Sequence, residues 1–292
     1  MKSDSNIEFL YGDKIAADKL VQSGMKELEK SLFSEFKTNA DDEANARKHV
    51  DSLYHSLFEN RANDNAADAV RALRQMHESN LKKKVADPEL YPEKERIFTG
   101  SIAATKTPPF NYQWTWHAET GGASVSASAD SASGKMRFNA YSNSKHYSKA
   151  SVRAALGIFF RPVTETGILR LTSRPSFNYS WWDYCTLASA HTDGFTGMYV
   201  GRYNQNGGFD RTIVDQKRSI WSDSSWWAGG SGSGSNSGFP LSAQFGVDRS
   251  HWYALWIWCG GNISAEGFHT FHGSGSGAVM SVAVPSITWQ LF

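Results

Sequence analysis

From about Thr99 onward, apolar and polar positions alternate with a period of two. Tyr112, Trp114 and Trp116 alternate with Gln113, Thr115 and His117, and Met136, Phe138 and Ala140 with Lys135, Arg137 and Asn139. Leu241, Ala243, Phe245 and Val247 alternate with Ser242, Gln244 and Gly246. An extended chain sends successive side chains to opposite faces, so these segments read as strands with one buried and one wetter face. Two segments are apolar on both faces: Ala154 to Phe160, and Trp252 to Cys259. Such strands belong in the middle of a sheet covered on both sides. At the end of the chain Pro285 separates Val279–Val284 from Ile287–Leu291, which implies an edge or a bulge. Roughly ten to thirteen short strands separated by turn signals, with no helix-length pattern between them, describe an antiparallel sandwich or jelly roll.

The earlier part of the chain has a different period. Leu20, Val21, Met25, Leu28, Leu32 and Phe36 recur mostly at spacings of three and four, the stripe of a helix from about Lys14 to Lys37. A second helix is expected from about Asp41 through Ala46, Val50, Leu53 and Leu57, the Asp41 carboxylate suiting a helix N-terminus. A third runs from about Asp64 to Lys84 through Ala66, Val70, Leu73, His77 and Leu81. Its closing Lys82-Lys83-Lys84 complements the negative end of the helix dipole. Short amphipathic helices bury little alone, so these need the β part or further copies of themselves to complete a core. They are the natural cover for the second face of the doubly apolar strands.

Composition sharpens the boundary. All 11 Trp and 23 of the 25 Gly follow residue 98, and the charge balance changes from −3 before it to +4 after it. Pro88 and Pro92 stop a helix from continuing across the junction. The expected protein is mainly β with an N-terminal α-helical segment. Residues 1–98 form that helical segment and linker, and residues 99–292 form a Trp-, Gly- and Ser-rich antiparallel β-sandwich or jelly-roll-like domain packed with or preceded by about three amphipathic helices.

A net charge of +1 offers no basic stripe for a polyanion, so nucleic acid is not an expected partner. The first residues are polar and no long apolar run follows them, so the expectation is a soluble, cytoplasmically made protein without a signal peptide, with release by another route left open. Cys185 and Cys259 fall in apolar strand-like segments without metal-type spacing and read as buried thiols.

Two aromatic rows stand out: Phe110-Asn111-Tyr112-Gln113-Trp114, and 67 positions later Phe177-Asn178-Tyr179-Ser180-Trp181. Their alternation is that of two core-facing strands in equivalent positions. Binding aromatics are expected elsewhere, near the Gly/Ser tracts Gly229 to Gly238 and Gly273 to Gly277, which read as flexible loops at the sandwich ends. Trp226 and Trp227 abut the first tract, and Trp182 and Trp221 join them as surface candidates alongside Trp181 and Trp252. Asn206 and Asp210, in the run Asn204 to Asp210, add oxygen ligands. Asn206-Gly207 is also the preferred dipeptide of a tight hairpin, the reading favoured here over a calcium loop. The expected ligand-binding set is therefore Trp226, Trp227, Trp182, Trp221, Asn206 and Asp210.

Catalytic signals are thin. The Gly/Ser tracts lack the lysine and following helix of a phosphate loop, and their Gly-x-Ser-x-Gly spacings sit at no strand-to-helix elbow. His269 and His272 would diverge in a strand, so no metal is expected there. His191 and Asp193 share a face in an extended segment, and a rim hydrogen bond is the plainer reading. None of the ten acids after residue 98 is singled out as one of a catalytic pair. The expectation leans away from an enzyme: no catalytic residue, metal or cofactor, and instead a binding or assembly protein. Its sandwich would recognise a glycan or protein surface through exposed aromatics, with helices docking it to copies of itself or a larger assembly. One alternative is a pore-forming or cytotoxic protein in which the helices or the Ser/Ala-rich stretch Ser124 to Ser133 rearrange at a membrane, the only case with a membrane partner. The other is a hydrolase with unrecognised acids.

Overall fold

A computed structural model describes residues 7–9, 18–19, 21–37 and 102–292, except 145–146, 164, 186–188, 226–228 and 267–273. These residues form fifteen antiparallel strands and one helix, α1, over residues 18–19 and 21–37. The described residues therefore hold one helix rather than about three. The segments expected to form the second and third lie outside the described residues.

The strands form three sheets. The largest contains β1 (Ile7–Phe9), β6 (Ser148–Pro162), β13 (His251–Glu266), β9 (Ser189–Asn204) and β10 (Phe209–Ser225) in that order, with β3 (Tyr112–Thr120) also pairing with β6. The second runs β11 (Gly230–Asn236), β8 (Ser176–Cys185), β14 (Ser274–Ala283), β5 (Lys135–Ser144) and β4 (Ser124–Asp130). The third runs β12 (Leu241–Asp248), β7 (Thr166–Ser173), β15 (Ile287–Leu291) and β2 (Ile102–Lys106).

The doubly apolar segments take the central places that their pattern demands. Even-numbered residues of β6 from Ala150 to Phe160 join the main core, with Tyr253, Leu255, Ile257 and Cys259 of β13. Opposite them are Phe138 and Met280 of the second sheet and Leu171 and Trp289 of the third. The other face of β6 and β13 carries Ala155, Phe159, Ala254 and Trp256, and this second core is closed by Val21 and Met25 of α1. Two packed cores share one sheet, which is why its middle strands are apolar on both sides. The stripe read in the sequence is the buried face of α1: Val21, Met25 and Phe36 are buried, and Leu28 and Leu32 half-buried. Each fully buried side chain of this size contributes about 1.5–3 kcal/mol.

The two Phe/Tyr/Trp rows are not equivalent. Phe177 is in the main core, and Tyr179 and Trp181 pack against it. Phe110 also enters the main core, but Tyr112 and Trp114 pack under α1. The chain bends at Asn111, whose N–H donates to Gly157 O at 3.1 Å before β3 begins. That bend breaks the i, i+2 relation between Phe110 and Tyr112.

Both Gly/Ser tracts contain strands rather than end loops. Most of the first is β11, an edge strand in which Gly232 and Gly234 stand opposite Trp181 and Tyr179. Most of the second opens β14, in the middle of its sheet. Glycines there leave room for neighbouring rings, so low bulk marks close packing and not flexibility. The Ser/Ala-rich stretch forms β4 and its turn into β5, with Val125, Ala127 and Ala129 packed on the main core and the intervening serines exposed. Cys185 and Cys259 are buried, unbridged thiols. No helix among the described residues is long and apolar enough to cross a membrane.

Candidate functional site

The outer face of the large sheet, the one α1 lies on, is built in rows by the cross-strand register. At one end Tyr112, Gly157, Trp256, Tyr199 and Asp215 stand side by side across β3, β6, β13, β9 and β10. The next row is Trp114, Ala155, Trp258, Gly197 and Lys217, followed by Trp116, Arg153, Gly260, Phe195 and Ser219. Beyond these the face turns polar: Ser151, Asn262 and Asp193, and then Lys149, Ser264, His191 and Ser224. Rings at one end thus grade into hydrogen-bonding groups at the other. Side chains two apart on a strand share a face, and the register aligns them across strands.

Helix α1 covers this face without filling it. Three cavities of about 150, 250 and 330 Å³ lie along the seam. The first is lined by Phe36, Lys149, Ser151, Arg153, Asp193 and Asn262, among others, and the second by Leu28, Leu32, Trp114, Arg153, Lys217 and Trp258, among others. Trp256 Nε1 and Tyr203 Oη are buried under the helix and have no hydrogen-bond partner among the described residues. Trp256 lines both the second and the third cavity, so a buried donor stands where a ligand or water has room.

The polar end is a connected network. Asp193 accepts from Asn262 N at 2.8 Å and Asn262 Nδ2 at 3.2 Å, and Asn262 Oδ1 accepts from Ser151 Oγ at 2.7 Å. His191 Nε2 stands 3.5 Å from Asp193 Oδ2, and its Nδ1 is 2.7 Å from Ser224 Oγ. Burial acts to raise the Asp193 pKa, but the His191 contact, the Asn262 N–H and the Lys217 charge outweigh it, so the carboxyl sits below its ordinary value. The expected sharing of a face by His191 and Asp193 is found, extended by Ser224 into a hydrogen-bonded chain. In this chain the carboxylate is held by Asn262, and its geometry suits an oriented, fixed set of donors and acceptors.

Arg153 stands between the two ends. Its guanidinium carbon lies 4.2 Å from the centre of the Phe195 ring and 5.6 Å from that of Trp258. Burial pushes its pKa down to about 10, partly offset by the fields of Asp193, Glu35 and Asp215. Lys217 Nζ lies 3.9 Å from the same Phe195 ring. Trp116, directly opposite Arg153 on β3, is half-exposed and has no hydrogen bond or ring contact among the described residues.

Of the residues expected from the sequence to bind ligand, the four that are described, Trp221, Trp182, Asn206 and Asp210, fall elsewhere. Trp221 is in the main core, its ring 4.9 Å from Tyr179 in a stacked arrangement and its Nε1 donating to Thr192 Oγ1 at 3.2 Å. A register shift between Ser219 and Trp221 turns the indole inward. Trp182 is 1% exposed and stacks on Tyr184 at 5.5 Å. Neither therefore offers the surface expected of it. Asn206 is exposed in the β9–β10 hairpin turn, where Gly207 N donates to Asn204 O at 2.8 Å and Gly207 has φ 88°. Asp210 pairs with Arg202, Nε to Oδ2 at 2.6 Å. Trp226, Trp227, His269 and His272 lie outside the described residues. Of the other two surface candidates, Trp181 packs half-buried against the main core, and Trp252 stacks on Phe159 at 5.4 Å beneath the Arg161 guanidinium.

The site residues missed were Arg153, Ser151 and Lys149 of β6 and Asn262 and Trp258 of β13. A signal for them exists: in Lys149-Ala150-Ser151-Val152-Arg153-Ala154 a polar side chain occurs at every second position of a strand that is otherwise apolar.

The sequence matches no protein-family model and no curated protein. Among solved structures, it is similar to the enzymatically active domain of tailspike protein 4 of Bacteriophage CBA120, at 13% identity, 59% of this chain, 19% of that chain and a TM-score of 0.20. It is similar to the CBM22-1 xylan-binding domain of Paenibacillus barcinonensis Xyn10C, at 11% identity, 58% of this chain, 85% of that chain and a TM-score of 0.19. A third likeness is to TmCBM61 in complex with beta-1,4-galactotriose, at 7% identity, 57% of this chain, 87% of that chain and a TM-score of 0.17. Scores this low carry no inference about the present chain.

Proposed function

We propose that this protein is a glycan-binding β-sandwich whose binding face is the outer side of the large sheet. The observation that carries the reading is Trp116 directly opposite Arg153, an indole with no hydrogen bond or ring contact among the described residues beside a donor-rich guanidinium, on a face that continues into Ser151, Asn262 and Asp193. Sugar rings offer an apolar C–H face and a rim of hydroxyls. Indole faces meet the first, and fixed donors and acceptors in a partly desolvated groove meet the second. The groups here are mounted on paired strands rather than on loops, which holds them in register and lowers the ordering cost of binding.

The test is a glycan array followed by calorimetry on the bound class, comparing the native chain with Trp116→Ala and Trp114→Ala. Both residues are half-exposed on the edge strand β3, so truncation spares the main core. Loss of one stacking indole is expected to weaken binding about tenfold or more. Binding to no glycan, or binding unchanged in both variants, would overturn the reading.

A further inference from the structure

Arg153 is 6% exposed, and among the described residues no carboxylate stands within ion-pair distance of it. Among the described residues only Nη1 is engaged: it donates to Val152 O at 2.8 Å, to Ser151 Oγ at 3.3 Å and, at the limit, to Gly261 O at 3.5 Å. Nε and Nη2 find no acceptor among the described residues, and the side chain lines both the polar and the aromatic cavity. A guanidinium taken this far out of water is costly unless a planar anion meets its open edge. Phe195 and Trp258 stand at its flanks, leaving that edge for a ligand.

A second observation concerns the groups that the donors of this face already bind. Two donors of the same face already take carboxylates from α1: Trp114 Nε1 donates to Glu29 Oε1 at 3.0 Å, and the Tyr112 hydroxyl bonds the Asp18 carboxylate. The helix thus lays acids along the face. Lys149 and Lys217 also border the cavities, while the facing acids are Glu35 and Asp215, and Asp193 is committed to Asn262 and His191.

Resting on the glycan reading above, we propose that the ligand is an acidic glycan, and that a sugar carboxylate pairs with the open edge of Arg153 while its ring lies on Trp116 or Trp258. A carboxylate matches the planar fork of arginine with two parallel hydrogen bonds, which a hydroxyl does not.

The experiment titrates the full chain with oligogalacturonate, hyaluronan oligosaccharides and sialyllactose. Each is paired with its methyl ester, and xylo- and cello-oligosaccharides serve as neutral probes. The expected result is binding of at least one acidic probe, weakened about tenfold or more by esterification, as expected for loss of one charge-assisted pair. Arg153→Met should abolish the difference between acid and ester, and Arg153→Lys should restore it in part. The acid-to-ester comparison on the native chain stands even if the variants fold poorly. Neutral probes binding as well as acidic ones, or equal binding of acid and ester, would overturn this inference and leave the glycan reading intact. Binding of no glycan at all would remove both.

Discussion

Trp181 of β8 and Gly232 of β11 are direct cross-strand partners, and a β-carbon on Gly232 would fall 2.7 Å from Trp181 Nε1. The same arrangement recurs two pairs along, where a β-carbon on Gly234 would fall 2.7 Å from the Tyr179 hydroxyl. The Gly-Ser alternation of this edge strand is therefore a packing pattern, with glycine toward the rings and serine toward solvent. Gly232→Val is expected to force the indole from its place and lower stability by about 1–3 kcal/mol. Ser233→Val, on the exposed side, should change it by less than about 0.5 kcal/mol. Urea unfolding of the two variants checks the contrast, and equal effects would contradict the packing account.

The seating of α1 on the sheet depends on a close approach at Gly24. A β-carbon there would coincide with the Tyr203 hydroxyl, which is buried beneath the helix. Gly24→Val should lift the helix, expose Trp256 and Trp258 to water and red-shift the tryptophan emission. Stability should fall by about 1–3 kcal/mol. Gly246→Val, at a position where a side chain meets open space, serves as the control.

Asp183 gives the fold a predictable pH dependence. The residue is fully buried and accepts from Ser225 Oγ and from Gly230 N, each at 2.8 Å. Burial first, with Asp223 beside it, pushes its pKa from an ordinary 3.8 up to about 6, against the lowering effect of those two hydrogen bonds. A carboxyl with a raised folded-state pKa favours folding when protonated. Its contribution is therefore complete below the unfolded value and is lost as pH rises through about 6. Asp183→Asn keeps an acceptor for both donors and removes the titration. Between about pH 4 and pH 7 the native chain should lose stability relative to Asp183→Asn, and parallel denaturant midpoints for the two would refute this.

The two cysteines should be silent in the folded protein. Cys259 is 0% exposed, and burial pushes its thiol pKa up to about 12, slightly offset by Arg153. Cys185 is buried as well. A chromogenic disulfide reagent is expected to titrate neither thiol under native conditions and both after denaturation, since the thiolate is the reactive form. Rapid labelling of the native chain would contradict their placement.

The sequence by itself determined the strands with alternating or doubly apolar patterns, the central place of Ala154–Phe160 and Trp252–Cys259, the hairpin at Asn206-Gly207, the buried thiols and the stripe of α1. Each is written in a local period or a turn dipeptide, which a single strand or helix reads without help from the rest of the chain. What only the tertiary structure decided is which strand stands beside which. Register sets Trp116 opposite Arg153 and Asn262 opposite Asp193, and a shift of one residue would send every one of these side chains to the other face. Bends and bulges act in the same way: one at Asn111 parts Phe110 from Tyr112, and another after Ser219 draws Trp221 into the core. A repeat such as Phe-Asn-Tyr-x-Trp names a ring-bearing strand. The sheet it joins, the core it faces and the partner set across from it are properties of strand pairing between distant parts of the chain, where no local pattern reaches.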